Sequence, residues 1–179
     1  IRPSRGLGDV YKRQIIIPVH NEIKQLKATI KKLLTLKKKI NFEIIFIDDF
    51  SLDGSYEMIK KFQKRSNLIK VYKNPKKGLG SAIETGIKKS KKNYTCIFMC
   101  DLSDDTNDIV KYYNTIKKNK KLDAVLGTRF SKDSKVTNYP FFKLFLNRLA
   151  NNIIKLIFFS DYNDFTNAFK IYKRKTLIK

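Results

Sequence analysis

Apolar and polar positions along the chain follow two different periods. Five short apolar runs have the β-branched and aromatic composition typical of strands: Ile15–Val19, Phe42–Ile47, Leu68–Tyr72, Tyr94–Met99 and Leu122–Leu126. Four lysine-rich segments between them repeat apolar residues at helical spacing: Glu22–Lys38, Gly54–Arg65, Leu79–Lys89 and Asp105–Lys118. Because strands that alternate with helices form βαβ units, we expect an α/β fold with a mostly parallel sheet flanked by helices.

The pattern changes after Gly127. Residues 141–159 have a helical period, with apolar side chains on one side and a polar row of Lys143, Asn147, Asn151 and Lys155 on another. The embedded charges argue against a membrane-spanning helix. A core helix and an interfacial helix that faces lipid both fit, and the sequence alone favours the core helix. The last residues, FKIYKRKTLIK, predict the start of a further helix.

The two ends of the chain are abrupt. Residues 1–14 lack an initiating Met and have no period, so we interpret them as a non-native segment and expect one domain over residues 15–179 that is incomplete at its C-terminus. Cys96 and Cys100 would lie about 13 Å apart in one strand, too far for a disulfide.

The net charge is strongly positive. Lys and Arg number 39 against 16 Asp and Glu, a formal +23 that would attract nucleic acid, anionic lipid or phosphorylated small molecules. The lysines are scattered over several helices, so we favour a compositional bias over a dedicated nucleic-acid surface and expect no nucleic-acid partner. A basic nucleic-acid-binding module without enzymatic activity is the distant alternative.

Polar residues collect where the predicted strands end. His20 and Glu22 follow the first strand, Asp48 and Asp49 end the second, and other acidic residues and Arg129 follow the fourth and fifth. Each cluster alone is explained by turns and helix caps, and Ser103–Asp105 predicts such a cap. All of them share one edge of a parallel sheet, where α/β proteins bind ligands.

Common nucleotide motifs are absent from the sequence. The loop Lys77–Gly80, KGLG, has neither P-loop spacing nor the glycine pattern of a dinucleotide fold. The single histidine, His20, has the position of a pocket residue rather than of a base.

Six segments carry a resemblance to a known family. They are IIIPVHNE, EIIFIDDFSLDGS, KGLGSAIETG, DLSDD, GTRF and YNDFTNAFKIYKR. In order and spacing they are similar to family 2 glycosyltransferases of the GT-A fold, most of all to the branch with dolichol-phosphate mannosyltransferase and polyprenyl-phosphate sugar transferases. The resemblance implies a GT-A (Rossmann-like) catalytic domain over residues 15–179.

The resemblance also implies roles for single residues. The positions that match the nucleotide-sugar site are Pro18, His20, Glu22, Ile47, Asp49, Cys100, Asp101, Ser103 and Arg129. The positions that match the acceptor phosphate site are Lys143 and Asn147, while Asp164, Thr166 and Asn167 fall in the segment over the acceptor side. The catalytic residues implied are Asp101, Arg129 and Asp164.

A divalent cation, Mg²⁺ or Mn²⁺, is the implied cofactor, with Asp101 and Ser103 as its ligands. Met99 stands where the family has its first acidic residue, and a thioether is a poor ligand for these oxygen-preferring ions. The site would then be completed by Ser103, Asp104 or Asp105 and by the diphosphate itself.

The implied reaction moves a hexose from a nucleotide-sugar, of the GDP-mannose or UDP-glucose type, to a polyprenyl or dolichyl phosphate with inversion. Because that acceptor is already an anion, no strong base is required. The implied place is the cytoplasmic face of a membrane, with the protein peripheral to it or anchored there. The alternative is a family 2 enzyme that acts on a saccharide hydroxyl, with Asp164 as its base, in cell-surface polysaccharide synthesis.

Overall fold

A computed structural model describes residues 13–130 and 141–178. Its strands are β1 (Arg13–Val19), β2 (Glu43–Asp48), β3 (Ile69–Lys73), β4 (Tyr94–Ile97), β5 (Ala124–Leu126) and β6 (Lys170–Lys173). Its helices are α1 (Ile23–Thr35), α2 (Ser55–Arg65), α3 (Leu79–Lys89), α4 (Thr106–Lys118), α5 (Phe141–Ile157) and α6 (Arg174–Leu177), with one 3-10 turn at Leu36–Lys38.

The strands form one sheet in the order β3-β2-β1-β4-β6-β5. Neighbours among β1 to β4 pair in parallel, whereas β6 pairs antiparallel with both β4 and β5. The predicted α/β fold and mostly parallel sheet are therefore confirmed. All five predicted strands and the four helices between them form, with ends that shift by a few residues.

Helices cover both faces of the sheet. Successive side chains of a strand point to opposite faces, so Ile15 and Ile17 join the larger core cluster and Ile16 joins the smaller one. The larger cluster includes Leu26 of α1 and Ile109 of α4, and the smaller includes Ala82 of α3. This burial on two faces explains why β1 and β2 are continuous apolar runs.

The first strand begins at Arg13, two residues before the predicted start. The Arg13 guanidinium donates to the Asn41 carbonyl at 2.7 Å and lies 3.5 Å from the centroid of the Tyr113 ring. The Gln14 side chain accepts from the backbone N–H of Lys91 at 2.6 Å. Contacts distant in sequence thus extend the strand beyond its apolar run.

The C-terminal region differs from the prediction. Lys170–Lys173 form β6, inserted between β4 and β5, and the helix begins only at Arg174. The short polar sequence KIYK has no strand period of its own. The two neighbouring strands supply its hydrogen-bond partners, so tertiary context decides its conformation.

The prediction of a core helix over residues 141–159 is wrong. Of the α5 side chains that the structure describes, only Asn151 is buried, and most of the large apolar ones are about half to three-quarters exposed, among them Phe145, Leu149 and Leu156. Within residues 13–130 and 141–178, no helix is both long enough and apolar enough to cross a membrane.

Candidate active site

The loops that follow β1 and β2 are joined by hydrogen bonds. His20 Nδ1 lies 2.6 Å from the carbonyl oxygen of Asp49. The backbone N–H of Asn21 donates to Ser51 Oγ at 3.1 Å, and the Asn21 side chain accepts from the N–H of Leu52 at 2.8 Å. Two of the sequence-predicted nucleotide-site residues, His20 and Asp49, are therefore brought into contact.

Asp49 also fixes the glycine loop before α3. Its carboxylate is buried and accepts from Asn74 Nδ2 at 2.7 Å and from the backbone N–H of Gly78 at 2.9 Å. These donors offset the repulsion expected between adjacent carboxylates. The neighbouring Asp48 is buried as well, and its Oδ1 has no hydrogen-bond partner in the described part of the chain.

Three non-glycine residues with a left-handed backbone lie in the loops at this edge. They are Asn21 (φ 56°), Phe50 (φ 59°) and Leu102 (φ 60°), one after each of β1, β2 and β4. Such conformations cost energy for bulky residues, and they cluster where a loop must hold a particular shape for a ligand.

The acidic segment after β4 contains a helix cap, Asp105, and an accessible carboxylate, Asp101. Asp105 accepts from the backbone N–H of Asn107 at 2.9 Å, which confirms the predicted cap of α4. Asp101 Oδ1 accepts from the N–H of Ser103 at 3.0 Å and from its hydroxyl at 2.7 Å. Asp101 is exposed and so remains accessible to a ligand at this edge of the sheet.

Carboxylates accumulate around Asp101. Burial, reinforced by the charge of Asp101, raises the pKa of Asp104 to about 6, while the positive charge of Arg129 opposes that rise. Burial, followed by the charges of Asp101 and Asp53, also raises the pKa of Glu22. The edge thus carries a negative potential that a cation would relieve.

The described residues contain no group of three His, Cys, Asp or Glu side chains arranged to hold a metal ion. Mg²⁺ is nevertheless commonly held by one or two carboxylates together with substrate phosphates and water. A single exposed carboxylate, Asp101, beside the Ser103 hydroxyl is compatible with that kind of site. Met99 offers only a soft sulfur.

Arg129 follows β5 at the same edge of the sheet and is paired with Asp164. The fully buried Asp164 carboxylate accepts from Arg129 Nη2 at 2.7 Å, from its Nε at 3.0 Å and from its backbone N–H at 2.8 Å. Arg129 Nη2 also donates to Thr166 Oγ1 at 3.0 Å. Because both Asp164 oxygens accept from this guanidinium, the carboxylate neutralises and orients Arg129.

The remaining predicted residues occupy different environments. Pro18 and Ile47 are paired in register in the β1–β2 ladder. The Cys100 thiol lies in the larger core cluster, where burial raises its pKa to about 12. Asn147 Oδ1 accepts from Asn151 Nδ2 at 2.7 Å, while the Lys143 side chain lies outside the described residues.

The sequence matches the family model described as "Glycosyl transferase family 2" over residues 14–179. The chain belongs to glycosyltransferase family 2. The membership predicted from the six segments is thereby confirmed.

Curated relatives of this family 2 chain differ in what they act on. It is 27% identical to the dolichol-phosphate mannosyltransferase of Pyrococcus furiosus over 78% of this chain and 39% of that protein. It is 33% identical to the cholesterol galactosyltransferase of Borreliella burgdorferi over 60% of this chain and 30% of that protein. The chain thus spans less than half the length of these relatives.

Among solved structures, the fold is similar to that of glucosyl-3-phosphoglycerate synthase from Mycobacterium tuberculosis, determined with Mn²⁺, UDP and glucosyl-3-phosphoglycerate. The TM-score is 0.71 at 14% identity, over 95% of this chain and 58% of the other. The GT-A fold implied by the resemblance is therefore confirmed.

The sequence predicts a turn and helix cap at Ser51–Gly54 but no role for Asn151. Among the described side chains of α5, Asn151 is the buried one. Asp53 caps α1 across the loops by accepting from the N–H of Ile23 at 2.9 Å. The position of Asn151 in the polar row of α5 is the signal that could have identified it.

Proposed function

We propose that this family 2 glycosyltransferase moves a hexose from a nucleotide-sugar to a polyprenyl phosphate, with inversion at the sugar C1. The observation that carries the proposal is that acidic residues and the guanidinium of Arg129 lie at the same edge of the sheet. Asp104 lies within electrostatic reach of both Asp101 and Arg129, since Asp101 raises its pKa and Arg129 opposes that rise. A cation bound at the carboxylates and the guanidinium of Arg129 would together stabilise an anionic diphosphate.

In this reaction an oxygen of the acceptor phosphate attacks the sugar C1. The bond from C1 to the diphosphate oxygen breaks, and the nucleoside diphosphate leaves with the electron pair. Arg129, oriented by Asp164, would donate hydrogen bonds to the leaving group as negative charge develops on it, while Asp101 and Ser103 would hold Mg²⁺ or Mn²⁺. A divalent cation, when bound, acts there as a Lewis acid towards the phosphate oxygens.

The pairing of Asp164 favours a phosphate acceptor over a saccharide hydroxyl. A hydroxyl nucleophile needs a general base within hydrogen-bond reach. Asp164 was the residue predicted for that role, but it is fully buried and bonded at both oxygens to Arg129. A polyprenyl phosphate is already charged and needs no such base. The dolichol-phosphate mannosyltransferase of Pyrococcus furiosus is a relative with an acceptor of this kind in its name.

The surface of α5 supports an acceptor at a membrane. Its exposed apolar side chains include Phe145, Leu149 and Ile153, each about half exposed, and Leu156, at 78%. Lys155 lies on the same helix, and the chain carries a net charge of +23. An apolar face bordered by cations on a basic protein fits an anionic lipid surface. We therefore place the protein at the membrane surface, on the cytoplasmic side implied by the resemblance.

The reaction is tested by incubating the full-length protein with radiolabelled GDP-mannose or UDP-glucose, a polyprenyl phosphate and Mg²⁺ or Mn²⁺. We expect the label to enter the organic phase, and Asp101→Asn to remove most of that transfer. Label that moves only into water-soluble saccharide would refute the phosphate acceptor and support the hydroxyl alternative.

The membrane surface is tested separately by flotation with vesicles of phosphatidylglycerol and phosphatidylcholine. The double variant Ile153→Glu, Leu156→Glu should lose flotation, whereas Leu52→Glu should keep it, because Leu52 is 94% exposed but lies in the β2–α2 loop. Equal flotation of all three proteins, or none by the wild type, would show that α5 does not face lipid.

A further inference from the structure

Helix α5 is attached to the rest of the described structure through the face that carries Asn151. Asn151 is 1% exposed, whereas Leu149 and Ile153, two residues away on either side, are 47% and 51% exposed. An ordinary surface helix buries its apolar stripe and exposes its polar one. In α5 the polar Asn151 is instead the most deeply buried of the described side chains, and Leu144 and Ile154 on the same face are only partly buried. The contacts of Asn151 are therefore important for the position of the helix.

The Asn151 side chain bonds to its own helix and to the segment before β6. Its Nδ2 lies 2.7 Å from Asn147 Oδ1, 2.9 Å from the Asn147 carbonyl and 3.2 Å from Thr166 Oγ1. Its Oδ1 accepts from the backbone N–H of Thr166 at 3.3 Å. Both ends of the amide are therefore used, as a buried polar group requires.

Thr166 continues this network to the predicted phosphate-binding arginine. Its hydroxyl lies 3.2 Å from Asn147 Oδ1 and accepts from Arg129 Nη2 at 3.0 Å. The same Arg129 nitrogen donates to the buried Asp164. A continuous path of hydrogen bonds thus joins α5 to the guanidinium, and Thr166 is the link between them.

We propose that Asn151 is a positioning residue, which acts through Thr166 to orient Arg129 towards the donor diphosphate. The proposal rests on the proposed function, since it presumes that Arg129 meets that diphosphate. Asp164 fixes the guanidinium from the buried side, and Thr166 restrains Nη2 from the exposed side. Asn151 bonds both to the hydroxyl and to the backbone N–H of Thr166, so it keeps Thr166 at the distance that Arg129 needs.

The arrangement also couples the apolar surface to the reaction. The face of α5 that we assign to lipid and the amide that holds Thr166 belong to the same helix. A movement of α5 would therefore change the hydrogen bond between Thr166 and Arg129 more than the ion pair between Arg129 and Asp164, because Asp164 is fully buried.

The test compares two matched pairs of variants in the full-length protein. Thr166→Val removes the hydroxyl while keeping the shape, and Thr166→Ser keeps the hydroxyl. Asn151→Leu removes the buried amide, and Asn152→Leu makes the same change at the adjacent exposed asparagine. We expect Thr166→Val and Asn151→Leu to lower kcat about tenfold, the effect of losing a hydrogen bond to a charged group, with little change in donor KM. Thr166→Ser and Asn152→Leu should retain the wild-type kcat.

A second readout does not require turnover. Phenylglyoxal modifies arginine side chains, and the rate at Arg129 can be followed by mass spectrometry of the peptide that contains it. We expect Arg129 to react several-fold faster in Asn151→Leu and Thr166→Val than in their matched controls, at equal thermal midpoints for the Thr166 pair.

The outcomes separate the two proposals. A wild type that transfers no label contradicts the proposed function, while faster Arg129 modification in Asn151→Leu and Thr166→Val than in their matched controls would still support the positioning role of Asn151. Unchanged kcat and unchanged Arg129 reactivity in both Asn151→Leu and Thr166→Val would overturn the positioning role.

Discussion

The ion pair of Arg129 and Asp164 should respond unequally to removal of its two members. Asp164 is 0% exposed and the Arg129 side chain is 28% exposed. Arg129→Leu leaves a fully buried carboxylate without the guanidinium that neutralises it, and breaking a buried pair in this way costs about 3–5 kcal/mol of unfolding free energy. Asp164→Leu leaves a cation that water can reach, and its loss of charged hydrogen bonds costs about 1–3 kcal/mol.

The double variant gives the interaction energy. Because neither charge remains, its cost should be less than the sum of the single costs by about 2 kcal/mol, a typical value for residues in direct contact. Urea unfolding of the four proteins at pH 7.5, followed by circular dichroism, measures all these free energies. Additive single effects, or an Asp164→Leu protein less stable than Arg129→Leu, would refute this account of the pair.

Three further predictions concern stability. Phe50→Gly should raise the unfolding free energy by about 0.5–1 kcal/mol, because Phe50 has a left-handed backbone at φ 59° that is costly for a bulky residue and easy for glycine. Leu52→Gly in the same loop should lower the unfolding free energy, and chemical denaturation of both variants measures the difference. Gly86→Ala should lower the unfolding free energy by about 1–3 kcal/mol, because a Cβ at this position overlaps the Ile16 side chain. In Gly80→Ala the new Cβ meets nothing within 4 Å, so this variant should stabilise α3. Thermal unfolding distinguishes the two variants. For Asp104 the folded pKa of about 6 lies above the ordinary value of 3.8, so the folded state holds the proton more tightly, and stability due to this group falls as the pH rises from about 4 to about 6. Asp104→Asn, measured with a chelator present, should remove that part of the pH dependence; an unchanged slope would contradict it.

Much of the sheet and of its functional edge could be predicted from the sequence. The runs that became β1 and β2 are continuous because both of their faces are buried, and that requirement is visible in local composition. The cap of α4 at Asp105 was also local, since its acceptor and the N–H of Asn107 lie two residues apart. The chain order of strand ends then placed His20, Asp49 and Asp101 at one edge.

The roles of other residues depended on contacts that no local pattern contains. Arg129 and Asp164 are 35 residues apart in the chain, and only the insertion of β6 between β4 and β5 brings the segment before β6 to the same edge. A carboxylate predicted as a possible base is instead the anchor of an arginine. Likewise, the period of α5 established a helix with an apolar side but not the direction in which that side faces.

The sequence by itself determined the α/β alternation, the helix that starts at the acidic segment and the shared edge of polar residues, because each follows from burial or hydrogen bonding within a few residues. The tertiary structure decided that KIYK is a strand, that α5 is held through Asn151 with its apolar side outward, and that Asp164 neutralises Arg129. Those three features depend on partners distant in the chain, and a periodicity along one segment carries no information about which partner it meets.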